Sequence, residues 1–156
     1  MASTISPHRA ITWHQSMIRV RDPVKSLHFY QDLLGFTLVD RVDFPEQKFS
    51  VYYLQTLSPS QKYSLTPGSN EAHEYLFNTD AVTVELTHNH GTEKEEGFEG
   101  YHPGNHDNDG FGHLAVSCQD VYAAAKDLEE QGVSFKKRPV CNCRCCTITI
   151  TNAMTF

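Results

Sequence analysis

The chain has 156 residues, 39% of them hydrophobic and 21% charged, with a formal net charge of −6. That length allows one ordinary domain or two small fused modules with a sizeable core. An acidic balance without a basic stripe argues against a nucleic-acid partner, and the longest apolar runs fall far short of a membrane span. The first ten residues, MASTISPHRA, carry no apolar stretch of the kind a secretory signal needs. The expected location is therefore the cytoplasm, where thiols stay reduced and cysteines do not form a disulfide framework.

In chain order, residues 11–20 alternate well enough for a strand. Asp22 reads as a helix N-cap with Pro23 at the first helical position, where its missing N–H is not needed. Leu27, Phe29, Tyr30, Leu33 and Leu34 make an apolar helical face, which Gly35 ends. FTLVDRVDF and KFSVYYLQTL read as strands. Residues 58–74, rich in Pro, Gly and Ser, read as a loop, and AVTVELTHN as a further strand. The result is a β-α-β-β-β module.

A long polar segment follows, HGTEKEEGFEGYHPGNHDNDG, too polar to pack and of the length that borders sites. The opening pattern then starts again in GHLAVSCQDVYAAAKDLEEQGVSFKKR, as strand, Asp cap, helix, glycine and strand. Gln15 to Asp22 is seven residues and so is His113 to Asp120; Gly35 lies thirteen after Asp22 and Gly132 twelve after Asp120. This spacing indicates an internal duplication. The expected fold class is α+β, built from paired β-α-β-β-β modules with the second truncated. One domain spans 11–140, with module one at 11–90, a connecting loop at 91–110 and a partial module two at 111–140. Residues 141–156 form an atypical Cys-rich tail, from which CCTITIT can supply one more strand.

Strand alternation decides which side chains share a face. Gln15, Met17 and Arg19 point one way; His14, Ser16, Ile18 and Val20 point the other. Thr83, Glu85, Thr87 and Asn89 share a face opposite Val82, Val84, Leu86 and His88. His113, Ala115 and Ser117 oppose Leu114, Val116 and Cys118. Were those polar faces to line one curved sheet, Gln15, Glu85 and His113 would converge, a donor set suited to Zn²⁺ or Ni²⁺.

The stretches QSMIRVRDPVKSLHFYQDLLGFTLVDRVDFPEQKFSVYYL, VELTHNHGTE, YHPGNHD, GFGHLAVSCQDVYAA and GVSFKKRPV resemble the glyoxalase I family of the vicinal oxygen chelate superfamily, over roughly residues 12 to 140. The resemblance implies paired β-α-β-β-β modules and a lactoylglutathione lyase. Such an enzyme isomerises the hemithioacetal of methylglyoxal and glutathione to S-D-lactoylglutathione with Zn²⁺ or Ni²⁺, typically as a homodimer. Carried over by position, it implies Gln15, Glu85 and His113 as metal ligands and Glu85 as a base. It implies Arg19 and Asn89 as glutathione contacts, and Phe44 and Val51 as walls of an apolar pocket.

Two departures stand against it. Asp107 and Asp109 precede GFGH, where relatives often carry a basic residue. The family's last strand bears a glutamate that serves as fourth ligand and principal base, yet residues 140–156 contain no Asp or Glu. The cluster Cys141, Cys143, Cys145 and Cys146 places thiolates close together, as soft metals require. No upstream CxxC pair answers it, and it reads as a replaced ending on a family member. A non-catalytic protein that holds a metal or small thiol is the alternative reading. A ring-cleaving oxygenase fits less well, because that chemistry needs two histidines and a carboxylate and the first-strand position is Gln15.

Overall fold

The computed structural model describes residues 13–102 and 113–135, with the backbone of 147–150. Strand β1 (Gln15–Val20) comes first. It alternates as its sequence dictates, with Ile18 and Val20 buried and Met17 and Arg19 exposed. Trp13 and His14 precede the strand without joining it. The Asp22 carboxylate accepts the backbone N–H of Val24 at 2.9 Å and of Lys25 at 3.3 Å. It thereby caps helix α1 (Pro23–Leu27), which widens into a π-helical turn, His28–Leu33. Gly35 follows with a φ of +73°, in the left-handed region that closes helices and that glycine enters without strain.

Strands β2 (Thr37–Phe44) and β3 (Phe49–Gln55) pair antiparallel, with one register slip between Leu38 and Asp40. Strand β4 (Thr83–Asn89) pairs antiparallel with β3, and the sheet order is β1-β4-β3-β2. In β3, Ser50, Val51, Tyr52 and Leu54 are all buried. Covered on both faces, that strand runs nearly continuously apolar instead of alternating.

The stretch 58–74 is not a loop throughout. Helix α2 (Asn70–Asn78) begins inside it, with the Ser69 hydroxyl accepting the Ala72 N–H at 3.1 Å as its cap. Only Ala72 and Leu76 on this helix are buried, an apolar stripe too thin to show as a helical period. The first module is therefore β-α-β-β-α-β. Asp40, fully buried beside the register slip, secures the segment that leads into α2. Its carboxylate accepts the N–H groups of Gly68 and Arg41, both at 2.8 Å, and faces His73 Nδ1 at 3.1 Å. A buried carboxylate persists only with such partners.

In the second part of the chain, β5 (Leu114–Ser117) pairs antiparallel with β6 (Thr147–Ile150). Between them runs α3 (Val121–Glu130). Asp120 caps it by accepting the N–H of Tyr122 at 2.9 Å and of Ala123 at 3.0 Å, and Gly132 follows at a φ of +90°. The Asp cap and the closing glycine of α1 thus recur around α3. Residues 133–135, expected to open another strand, form none. Asp107, Asp109 and the four clustered cysteines lie outside the described residues.

By their contacts the described residues divide into two units, 13–18 with 36–90, and 19–35 with 91–102, 113–135 and 147–150. The core of the second is Val121 and Leu128, packed with Leu33, Leu34, Val116 and Phe135. The polar segment after β4, expected not to pack, is tied down at its start within this unit. Arg21 Nε donates to the Thr92 carbonyl at 3.1 Å, Thr92 Oγ1 donates to the Arg21 carbonyl at 2.8 Å, and the Arg21 guanidinium lies 5.9 Å from the Phe98 ring centre. Among the described residues no helix is long and apolar enough to cross a membrane.

The equivalent caps have a measurable consequence. Asp22→Ala and Asp120→Ala are each expected to lower stability by about 1 kcal/mol. The readout is a lower urea midpoint at unchanged slope, which Asn at the same position restores.

Candidate functional site

In an antiparallel pair, residues directly opposite one another share a face. Glu85 lies opposite Tyr53, Thr87 opposite Val51 and Asn89 opposite Phe49. Across β3, Phe49 lies opposite Phe44 and Val51 opposite Val42. Glu85, Asn89, Val51 and Phe44 therefore stand on one face of the sheet. That face passes from a carboxylate at one end to the stacked rings of Phe44 and Phe49 at the other, 4.5 Å between centroids.

Strand β1 is the neighbour of β4, and the Thr83 N–H donates to the His14 carbonyl at 2.9 Å. This adjacency brings Gln15 to the same face, where its Nε2 donates to Glu85 Oε2. The Thr87 hydroxyl donates to Glu85 Oε1 at 3.2 Å, so both carboxylate oxygens are engaged. Burial pushes the Glu85 carboxyl above its ordinary value, and the Thr87 hydrogen bond acts in the opposite direction. The Tyr53 phenol across from it is pushed up to about 12, first by burial and then by the charges of Glu85 and Asp40.

Five of the seven expected residues, Gln15, Glu85, Asn89, Val51 and Phe44, thus come together in the first unit. Arg19 is exposed on the Gln15 face of β1. His113 belongs to the second unit and is exposed just before β5. Among the described residues no three His, Cys, Asp or Glu side chains gather where they could hold an ion. The Gln15–Glu85 pair nonetheless fits a divalent cation chemically. Both side chains offer oxygen donors of the kind such ions take, and a half-buried carboxylate gains from a positive charge beside it.

Two site residues escape sequence reasoning. Tyr53 carries no signal beyond its place in an apolar strand. His14 is the sharper case, because alternation assigns it to the face opposite Gln15. It precedes β1, where alternation has no hold, and its Nδ1 lies 3.1 Å from Gln15 Oε1.

Comparison with known proteins shows the family to which the chain belongs. Residues 12–144 match the family model of the Glyoxalase/Bleomycin resistance protein/Dioxygenase superfamily. The chain is 44% identical over 126 residues to the lactoylglutathione lyase of Pseudomonas putida, covering 81% of this chain and 70% of that protein. To the lactoylglutathione lyase of Pseudomonas aeruginosa it is 39% identical over 125 residues, with 80% and 68% covered. Two solved structures share the fold. The trypanothione-dependent glyoxalase I of Leishmania major gives a TM-score of 0.58 at 21% identity, over 92% of this chain and 88% of that one. Glyoxalase I from Zea mays gives 0.58 at 21% identity, over 92% and 42%. The chain belongs to the glyoxalase superfamily, in the branch of the lactoylglutathione lyases.

Proposed function

We propose that the chain is a lactoylglutathione lyase, converting the hemithioacetal of methylglyoxal and glutathione to S-D-lactoylglutathione. The observation that carries this reading is the half-buried Glu85 facing Gln15 on a sheet face that continues into an apolar wall. Gln15, Glu85 and His113 are the residues that would hold Zn²⁺ or Ni²⁺. When bound, such an ion supplies positive charge beside the two substrate oxygens, where negative charge develops during the reaction.

The reaction itself moves a hydrogen between adjacent carbons. Glu85 takes the proton from the carbon bonded to sulfur, and the electron pair of that C–H bond shifts toward the neighbouring carbonyl. The same carboxyl returns the proton to the former carbonyl carbon, while the hydroxyl proton of the carbon bonded to sulfur passes to the former carbonyl oxygen, leaving a thioester beside an alcohol. No outside oxidant or reductant is needed. A carboxyl raised by burial is a stronger base than an exposed one, which suits this role. Arg19 suits the carboxylates of glutathione because its fork can bind them bidentately, and Asn89 offers a neutral donor. Val51 and Phe44 supply the apolar wall for the transferred group. We place the protein in the cytoplasm as a homodimer, a reading that a glutathione-dependent reaction and the family resemblance support.

A second reading has one observation in its favour. Residues 140–156 hold no Asp or Glu, and a family fold that drew no second base from that segment would bind metal and thiol without turnover. Purified protein supplied with Zn²⁺ or Ni²⁺ is expected to form thioester from methylglyoxal and glutathione, and Glu85→Gln to lower the rate by about 10²–10⁴-fold. Metal and glutathione binding without thioester would support the binding protein instead. Absence of metal binding would defeat both readings.

Proton linkage adds an expectation for the cation-free protein. The Glu85 carboxyl binds its proton more tightly folded than unfolded, since burial raises it from 4.5. Its contribution to stability is full below that unfolded value and is lost as pH rises through the raised one. Cation-free Glu85→Gln is therefore expected to melt higher than the parent at neutral pH, with the gap closing as the pH falls below 4.5. Melting curves across that range check the sign.

A further inference from the structure

The ring of His14 is held from both ends. Its Nε2 lies 3.0 Å from the Leu76 carbonyl oxygen and its Nδ1 lies 3.1 Å from Gln15 Oε1. Its plane stacks on Phe77, 5.6 Å between centroids and 7° between planes. A carbonyl oxygen only accepts, so Nε2 is the nitrogen that carries hydrogen. A neutral imidazole has one N–H, which leaves Nδ1 as a lone-pair acceptor. Leu76 lies in the last turn of α2, where backbone carbonyls have no partner within the helix. The bond therefore satisfies the helix end and selects the tautomer together.

Gln15 stands with its Nε2 donating to Glu85 and its oxygen toward His14. In that setting the amide oxygen meets the Nδ1 lone pair, and no hydrogen lies between them. Turning the amide over exchanges the two ends. Nε2 would then donate to Nδ1, and the oxygen would stand on the side of Glu85. Without a cation, that second setting sets two acceptors against each other. With one, both oxygens become ligands. The amide setting that the ring favours is thus the one a cation needs.

We propose that His14 is a positioning residue, whose Nδ1 lone pair, set by the Leu76 carbonyl, turns the Gln15 amide oxygen toward a cation shared with Glu85. The inference rests on the cation site of the proposed function and deepens it, because it assigns α2 a part in ligand orientation. Outer-shell partners of this kind are worth about 10–100-fold in metal affinity.

The test uses the full chain, with Zn²⁺ affinity measured by competition against a chromophoric chelator. Nitrogen NMR of histidine-labelled protein reads the His14 tautomer. The expected tautomer is Nε2–H, with and without Zn²⁺. His14→Phe keeps a ring against Phe77 and is expected to weaken Zn²⁺ by about 10–100-fold. His14→Asn, whose Oδ1 can accept the Gln15 amide, is expected to recover most of that loss. Equal Zn²⁺ affinity for the parent and His14→Phe overturns the proposal and leaves the cation site standing. An Nδ1–H tautomer in the parent does the same, as does a loss that His14→Asn leaves uncorrected. A parent that binds no Zn²⁺ overturns the cation site and this proposal together. Should His14→Phe fail to fold, the tautomer of the parent decides.

Discussion

A carboxylate set halfway into a sheet face gives up hydration, and it stays ionised there only with partners. For Glu85 those partners are Gln15, reaching across from β1, and Thr87, two residues along its own strand. The pairing depends on β1 lying beside β4 in the sheet order, so the site rests on one strand adjacency. Once that adjacency is set, the β3–β4 register carries the face onward through Val51 and Phe49 to Phe44. A group whose charged form is disfavoured by burial is costly for stability, and such groups concentrate where chemistry is done. The glyoxalase fold supplies the platform, and Glu85 is the group on it that burial makes basic.

Beside Tyr53 on this face stands a support that is almost entirely polar. Asp40, fully buried at the register slip, gathers the Gly68 N–H and His73 and so fixes where α2 begins. The far end of α2 presents the Leu76 carbonyl to His14, and His14 touches Gln15. A chain of polar contacts thus runs between a ligand candidate and helix α2, whose His73 and Tyr75 also reach Asp40 and Gln55 on the same face. Polar supports of this type hold one arrangement, since any partner lost leaves a buried group unsatisfied.

Much of the scaffold is legible in the residues, because local rules govern it. Asp22-Pro23 and Asp120 announce helix starts, Gly35 and Gly132 announce helix ends, and alternation in β1 separates Ile18 and Val20 from Gln15 and Arg19. Helix α2 escapes that reading, since two buried side chains over nine residues make no visible period. The π-helical widening of the first helix escapes as well, because its apolar spacing does not differ from that of an ordinary helix. The face assignment of His14 fails for a related reason: alternation holds within a strand, and the strand starts one residue later.

What the sequence determined by itself is the strands of the first module, the repeated cap-helix-glycine device and the polar face of each strand, together with the family those motifs resemble. Each follows from interactions between residues close in the chain, where backbone geometry fixes direction. Tertiary structure decided which faces meet. It set Glu85 against Gln15 across 70 positions and put Tyr53 opposite Glu85. It also brought a helix carbonyl to the ring beside Gln15. Those contacts arise from strand order, register and the burial of Asp40, which residue spacing does not encode.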